Sequence, residues 1–127
     1  MINKTTRIMI ADEEHPQRLR LERDFNHHGY YAIAPVCSLA EMLRLLEYGE
    51  AGFDIVLINA ALSAGHRFDL SAFCLDHPLI HTALIYDLPE YRWLEFANHT
   101  DPRIFLSTLA LPAGWPIKQL INNQVAR

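Results

Sequence analysis

Short apolar runs alternate along the chain with stretches whose apolar residues recur at helical spacing. Apolar runs between turn residues are typical of buried strands, and a repeat near 3.6 residues is typical of helices that pack on a core. The runs predict five strands, at residues 7–11, 30–38, 53–58, 81–87 and 103–111. The periodic stretches predict five helices, at about residues 16–28, 39–48, 69–76, 88–99 and 115–125.

Residues with strong preferences for helix ends support the first two helices. Pro16 suits a first helical turn, because its missing N–H would have no partner there. Ser38 followed by Glu41 is the S-x-x-E pattern of a capping box. Gly29 and Gly49 follow the last apolar residues of the two stretches and predict where the helices end.

The order of these elements predicts one α/β domain spanning residues 1–127. Each connection between strands is long enough for a helix, and unbroken apolar strands are typical of a sheet covered on both faces. We therefore expect a doubly wound, parallel five-stranded sheet with helices on both faces, over about residues 7–125. Residues 122–127 have the composition of the start of a tail or linker.

Composition and charge narrow the classes of partner. The chain has 127 residues, 50% of them hydrophobic, and a net charge of −4 with His neutral. A nucleic-acid surface normally carries a clustered basic face, so we expect this domain to contact no nucleic acid. We also expect no membrane contact and a cytoplasmic location, since neither a membrane-spanning apolar stretch nor a signal peptide is apparent. Cys37 and Cys74 lie in apolar contexts and predict buried, reduced thiols.

Polar residues follow three of the predicted strands. Asp12 and Glu13 follow the first strand, Asn59 follows the third, and Asp87 ends the fourth. In open parallel sheets, ligands bind outside the carboxyl ends of the strands, where the strand order reverses. We therefore expect the candidate site at these residues. Asn59 taken alone is also typical of a capping or turn residue.

The chain resembles a response-regulator receiver domain from Arg7 to about Val125. The resemblance rests on the order and spacing of four segments: MIADEEHPQRLRLERDFNHHGYYAIA, FDIVLINAAL, TALIYD and LALP. Within that family, the segment HGYYAIAPVCSLAEML is most similar to the receivers of helix-turn-helix transcription factors. The resemblance implies a flavodoxin-like (βα)5 fold.

A working receiver has five functional parts. Two acids hold Mg²⁺, an Asp accepts the phosphoryl group, a Thr or Ser hydrogen-bonds it, a Lys pairs with it, and an aromatic residue changes rotamer. The corresponding positions here are, in that order, Asp12 with Glu13 (or Glu14 if the loop shifts by one), Asn59, Asp87, Leu111 and Thr108. A shift of one residue would place Tyr86 at the Thr or Ser position.

These substitutions predict a degenerate pocket that is not phosphorylated. Phosphoryl transfer needs an anionic carboxylate oxygen, and the amide oxygen of Asn59 is neutral. Leu111 provides no cation, and Asp87 would add a negative charge beside the incoming phosphate. We expect no bound cofactor, although Asp12 and Glu13 could still bind Mg²⁺ weakly. Alternatively, these two acids simply lie near a helix N-terminus, where the helix dipole favours them.

A receiver without phosphorylation still has a contact surface. The resemblance implies a partner or homodimer face formed by the fourth predicted helix, the fifth strand and the fifth helix. Aromatic residues favour protein interfaces, and those predicted for this face are Tyr91, Trp93, Phe96 and Trp115. The chain then resembles a module that regulates transcription through an attached or partner output domain. The alternative for the aromatic residues is that they cover the edge of the sheet.

Two further hypotheses remain open. The first is a small flavodoxin-like enzyme in which Asp12, Glu13 and Asp87 form a carboxylate cluster for acid–base catalysis. The second is a receiver-like domain that senses a small ligand in place of phosphate, since a ligand shifts a population whenever it prefers one state. Nothing in the sequence names such a ligand.

Overall fold

The computed structural model describes residues 5–49, 51–65, 68–93 and 101–125, with side chains up to residue 122. This part of the chain forms an α/β fold with five strands and four α-helices. In chain order these are β1 (Arg7–Ala11), α1 (His15–His27), β2 (Ala32–Val36), α2 (Leu39–Tyr48), β3 (Phe53–Asn59), α3 (Leu70–Asp76), β4 (Ile80–Tyr86), β5 (Ile104–Leu106) and the C-terminal helix (Trp115–Val125). Short 3-10 turns occupy Ala60–Ser63 and Glu90–Arg92.

All five strands lie parallel in one sheet, in the order β2-β1-β3-β4-β5. The chain therefore extends the sheet from β1 to β2 on one side, then crosses back to place β3 on the other side of β1. This reversal of strand order occurs between β1 and β3. It brings the carboxyl ends of β1, β3 and β4 side by side, because neighbouring parallel strands end at the same edge.

The predicted covering of both sheet faces is confirmed. Alternate residues of β1 enter different cores, since successive side chains of a strand point to opposite faces. Met9 and Ala11 pack with residues of α2 and α3, whereas Ile8 and Ile10 pack with residues of α1 and the C-terminal helix. The long apolar runs in β1, β3 and β4 are thus explained by burial on both sides.

Helix ends follow the expected chemistry. The Ser38 hydroxyl accepts a hydrogen bond from the backbone N–H of Glu41 at 3.1 Å, which confirms the N-terminal cap of α2. Gly29 follows α1 with a φ of 89°, a left-handed conformation in which a Cβ would be strained.

Two predicted elements differ from the structure or extend beyond the described residues. The fifth strand is much shorter than predicted, because β5 ends at Leu106 and the following apolar residues form an extended loop. Of the predicted helix at residues 88–99, the structure describes only the beginning, where Pro89 precedes the 3-10 turn Glu90–Arg92. No helix within the described residues is long and apolar enough to cross a membrane.

Candidate functional site

Three polar side chains meet at the carboxyl edge of the sheet. Asp12 directly follows β1, and Asn59 and Tyr86 are the last residues of β3 and β4. Asn59 pairs with Tyr86 in the strand register, and Ala11 pairs with Ile58 on the other side of β3. The two registers bring Asp12, Asn59 and Tyr86 together, and all three are buried. We call them the Asp12 cluster.

One carboxylate oxygen of Asp12 accepts two hydrogen bonds. The Tyr86 hydroxyl donates to Oδ2 at 2.5 Å, and the Asn59 side-chain amide donates to the same atom at 3.2 Å. The other oxygen, Oδ1, accepts from the backbone N–H of Glu14 at 2.8 Å. Burial of a carboxylate without hydrogen-bond partners would cost roughly several kcal/mol of folding free energy. The three donors to Asp12 offset that cost.

The Asn59 side chain is fixed at both ends. Its Oδ1 accepts the backbone N–H of Ala61 at 2.9 Å and starts the 3-10 turn Ala60–Ser63, while its Nδ2 donates to Asp12. The capping role expected for an asparagine at a strand end is therefore present. An ionised aspartate at this position could accept from Ala61, but it could not donate to Asp12. The amide thus suits a site that already contains a buried carboxylate.

Tyr86 is fully buried, and burial disfavours loss of the proton from its hydroxyl. Burial raises the pKa of Tyr86 strongly, and the hydrogen bond to Asp12 raises it further. Arg18 of α1 opposes this shift in pKa through its positive charge. The Arg18 guanidinium donates a hydrogen bond to the backbone carbonyl of Asp12, so it lies beside the cluster without pairing with the carboxylate.

Asp87 lies just beyond the cluster and has a different role from Tyr86. Its φ of 55° is a left-handed conformation, which Asp adopts more readily than most residues. Its backbone N–H donates to the carbonyl of Leu109 at 2.9 Å, and the next residue, Leu88, donates to Ser107 at 3.1 Å. Tyr86, and not Asp87, therefore forms the hydrogen bond with Asp12. This is the arrangement expected if the comparison with receiver domains is shifted by one residue here. Asp87 forms the turn that follows.

The remaining predicted site residues lie apart from the cluster. Glu13 is exposed and borders a surface groove. Leu111 packs partly against the apolar core that lies beneath α1 and the C-terminal helix, and Thr108 is exposed. The positions assigned to a Lys and a switching aromatic residue thus hold an apolar contact and a surface hydroxyl.

The Asp12 cluster does not fit a bound Mg²⁺ ion, which needs oxygen ligands in near-octahedral geometry. Asn59 directs its N–H groups toward Asp12, and the Tyr86 proton occupies the same carboxylate oxygen. Across the described segments, no group of three His, Cys, Asp or Glu side chains is arranged to hold a metal ion. The three-carboxylate arrangement of the enzyme hypothesis is likewise not formed around Asp12, whose side-chain partners are an amide and a phenol.

The aromatic residues predicted for an interface are exposed where the structure describes them. Tyr91 is 85% exposed, Trp115 is 66% exposed and Trp93 is 36% exposed, whereas Phe96 lies outside the described residues. Trp115 lines a cavity of about 170 Å³ together with Phe105 and neighbouring residues of β4, β5 and the C-terminal helix. Exposed aromatic residues of this kind are typical of protein contact surfaces.

The prediction of two buried thiols is correct for one cysteine and wrong for the other. Cys74 is a residue of α3 that is buried in the apolar core beneath α2 and α3, and burial raises its pKa to about 12. Cys37 is exposed, because it lies in the loop between β2 and α2 and donates its S–H to the Glu41 carboxylate at 2.9 Å. Its pKa is raised mainly by that hydrogen bond. Both thiols are free, as expected.

Comparisons with protein-family models, with curated proteins and with solved structures find no match for this chain.

Proposed function

We propose that this chain is a receiver-like signalling module of the two-component type, with a flavodoxin-like (βα)5 fold, that is not phosphorylated at Asn59. The observation that carries this proposal is the buried hydrogen bond from the Asn59 amide to the Asp12 carboxylate. Tyr86 donates to the same oxygen. In a working receiver, the corresponding carboxylate lies beside a metal cation and the acceptor carboxylate. In this chain, the Asn59 and Tyr86 donors take the place of both.

The strand order supports the proposed fold. The order β2-β1-β3-β4-β5 is that of flavodoxin-like doubly wound sheets, in which the site lies at the reversal between β1 and β3. The Asp12 cluster lies at that reversal. The position and burial of the cluster are therefore those of a former catalytic pocket, and its internal hydrogen bonds are those of a structural core.

The chemistry of the cluster opposes phosphoryl transfer in three ways. The Asn59 side-chain oxygen is neutral and already accepts the Ala61 N–H, so it is a poor nucleophile. The Asp12 carboxylate lies beside the place where a phosphoryl group would enter, and the Asn59 and Tyr86 donors occupy the oxygen that would otherwise hold a metal ion between them. Leu111, at the sequence position that the resemblance assigns to the Lys, carries no charge and packs partly against the apolar core.

The module then acts by protein contact. Trp115, which lines a cavity with Phe105, supports a contact face near β5 and the C-terminal helix, and Tyr91 and Trp93 are further exposed aromatic residues. The occupant of this face is a protein partner or a second copy of the chain, and the output is regulation of transcription through an attached or partner domain. Sedimentation equilibrium of the wild type and of Trp115→Ala tests the second-copy arrangement. A dimer that weakens in the variant supports that arrangement, and a monomer in both cases assigns the face to another protein.

The experiment that tests the lost phosphorylation is intact-mass spectrometry after incubation with Mg²⁺ and acetyl phosphate. A receiver with a working acceptor aspartate serves as the positive control. We expect no phosphoryl adduct on this chain under conditions in which the control is modified. A stable adduct would contradict the proposal, and mapping the modified residue would then locate the real acceptor.

A further inference from the structure

A surface groove lies beside the Asp12 cluster at the same edge of the sheet. The groove has a volume of about 520 Å³ and is bounded by the loops that follow β1, β2 and β3. Small-molecule sites typically measure about 300–1,000 Å³ and lie at the carboxyl ends of strands in open parallel sheets. Size and position therefore both suit a ligand site.

The lining of the groove combines an apolar wall with an acidic rim. Leu39 and Leu43 of α2 face the groove from one side, and Leu62 of the 3-10 turn faces it from the other. Glu13 contributes an exposed carboxylate from the loop after β1. A ligand that fills this groove must therefore present apolar surface to the three leucines and place one of its ends beside the negative charge of Glu13.

The charges around the groove favour a cation over an anion. Glu41 accepts a hydrogen bond from Cys37, which lines the groove, so a second carboxylate lies beside the groove lining. Arg18 is near enough to lower the pKa of Cys37 slightly, but its guanidinium donates to the Asp12 carbonyl. An ammonium group beside Glu13 gains an ion pair, whereas a carboxylate there would be repelled.

We infer that the groove binds a small amphipathic amine, whose ammonium group pairs with Glu13 and whose apolar body packs against Leu39, Leu43 and Leu62. Amine binding itself is independent of the proposed function. The role of this binding as the input of the module rests on the proposed function. If the Asp12 cluster cannot be phosphorylated, the module needs another signal, and amine binding at the same edge of the sheet would supply it. A bound amine would shift the module toward whichever state holds the groove open.

Cys37 provides a reporter for occupancy of the groove. It is the exposed thiol of the chain and lines the groove, whereas Cys74 is buried. Burial raises the pKa of Cys74 to about 12, so it reacts slowly with thiol reagents in the folded protein. The rate of alkylation at mildly alkaline pH therefore reports access to Cys37.

The test titrates the full chain with tryptamine and, separately, with indole-3-acetate, an anion with the same aromatic body. Binding is followed by amide chemical shifts in ¹⁵N–¹H spectra and by the rate of Cys37 alkylation. We expect tryptamine to shift the amides of residues 37–43 and 61–64 and to slow alkylation at least about twofold at saturation. We expect indole-3-acetate to do neither within the same concentration range.

Matched variants test the ion pair. Glu13→Gln should weaken tryptamine binding about two- to fivefold, the range that an exposed ion pair supports. Glu14→Gln removes an adjacent exposed carboxylate outside the groove lining and should leave binding unchanged. Absence of tryptamine binding, equal binding of both indoles, or equal effects of the two variants would each overturn the inference.

The two proposals fail separately. A phosphoryl adduct together with normal tryptamine binding would overturn the proposed function and leave the groove as a ligand site. Absence of both the adduct and tryptamine binding would overturn the groove inference and leave the proposed function standing.

Discussion

The hydroxyl of Tyr86 donates a 2.5 Å hydrogen bond to the carboxylate of Asp12, which lies 74 positions earlier in the chain. Both side chains are fully buried at the carboxyl edge of the sheet. Tyr86 supplies apolar bulk as well as a donor, and the proposed function gives it the place of a small hydroxyl residue beside a phosphate. This contact closes the pocket around which the proposed function is built.

Removal of the Tyr86 hydroxyl should destabilise the fold. A hydrogen bond to a charged acceptor contributes about 1.5–3 kcal/mol, and its loss leaves Asp12 with fewer donors in a buried site. We therefore expect Tyr86→Phe to lower the free energy of unfolding by about 2 kcal/mol in urea denaturation. Tyr91→Phe is the matched control, because Tyr91 is 85% exposed, and it should change stability by less than about 0.5 kcal/mol. Equal stability of both variants would show that the Asp12 contact is energetically unimportant.

Alkaline pH should weaken the fold through Tyr86. Above about pH 10 the tyrosine loses its proton in the unfolded chain. Folded Tyr86 keeps its proton, because burial and the hydrogen bond to Asp12 raise its pKa. The folded state then binds more protons, so the free energy of unfolding falls by up to about 1.4 kcal/mol per pH unit.

Urea denaturation between pH 8 and pH 11 measures this slope. Tyr86→Phe should give a flatter curve above pH 10 than the wild type. Cys74, whose pKa is raised to about 12, contributes to both proteins, so the difference between the two curves isolates Tyr86. Parallel curves would exclude a raised pKa at Tyr86.

Asp87 should matter through its backbone conformation. Gly and Asn adopt a φ near 55° without added strain, so Asp87→Gly and Asp87→Asn should keep stability within about 0.5 kcal/mol. A β-branched residue is strained in this region, so Asp87→Val should cost about 1–2 kcal/mol. Asp76→Val, at an exposed position of α3, is the control for the change in side chain. A large loss in Asp87→Asn would instead indicate a required carboxylate.

Much of the fold could be predicted, because burial leaves a direct trace in the sequence. The strands β1, β3 and β4 each contain an unbroken run of four apolar residues, and their predicted limits lie within one residue of those observed. Ser38 and Gly29 marked helix ends through local chemistry that does not depend on distant contacts. The fifth strand is shorter than predicted, since an apolar run alone does not distinguish a strand from a loop, and residues 108–110 are exposed in the loop that follows Leu106.

The candidate site was less predictable. Asp12 and Asn59 follow obvious strands, so their meeting could be expected from the sheet alone. The choice between Tyr86 and Asp87 depends on the register between β3 and β4, and a shift of one residue reverses the direction of every side chain. The exposure of Cys37 depends on the loop after β2, which composition alone does not determine.

In the proposed function, Asn59 and Tyr86 stand in place of a cation and an acceptor carboxylate at Asp12. The most direct measurement is the thermal midpoint of the wild type and of Asn59→Asp, with and without 20 mM Mg²⁺ at constant ionic strength. Asn59→Asp removes a donor from Asp12 and adds a second carboxylate, so we expect the variant to be less stable than the wild type. Mg²⁺ should partly restore its stability, because binding with millimolar affinity stabilises the folded state by about 1–2 kcal/mol. The wild type should show no Mg²⁺-dependent change. A wild type stabilised by Mg²⁺ as strongly as Asn59→Asp would contradict the account, because the Asp12 site would then still bind its metal.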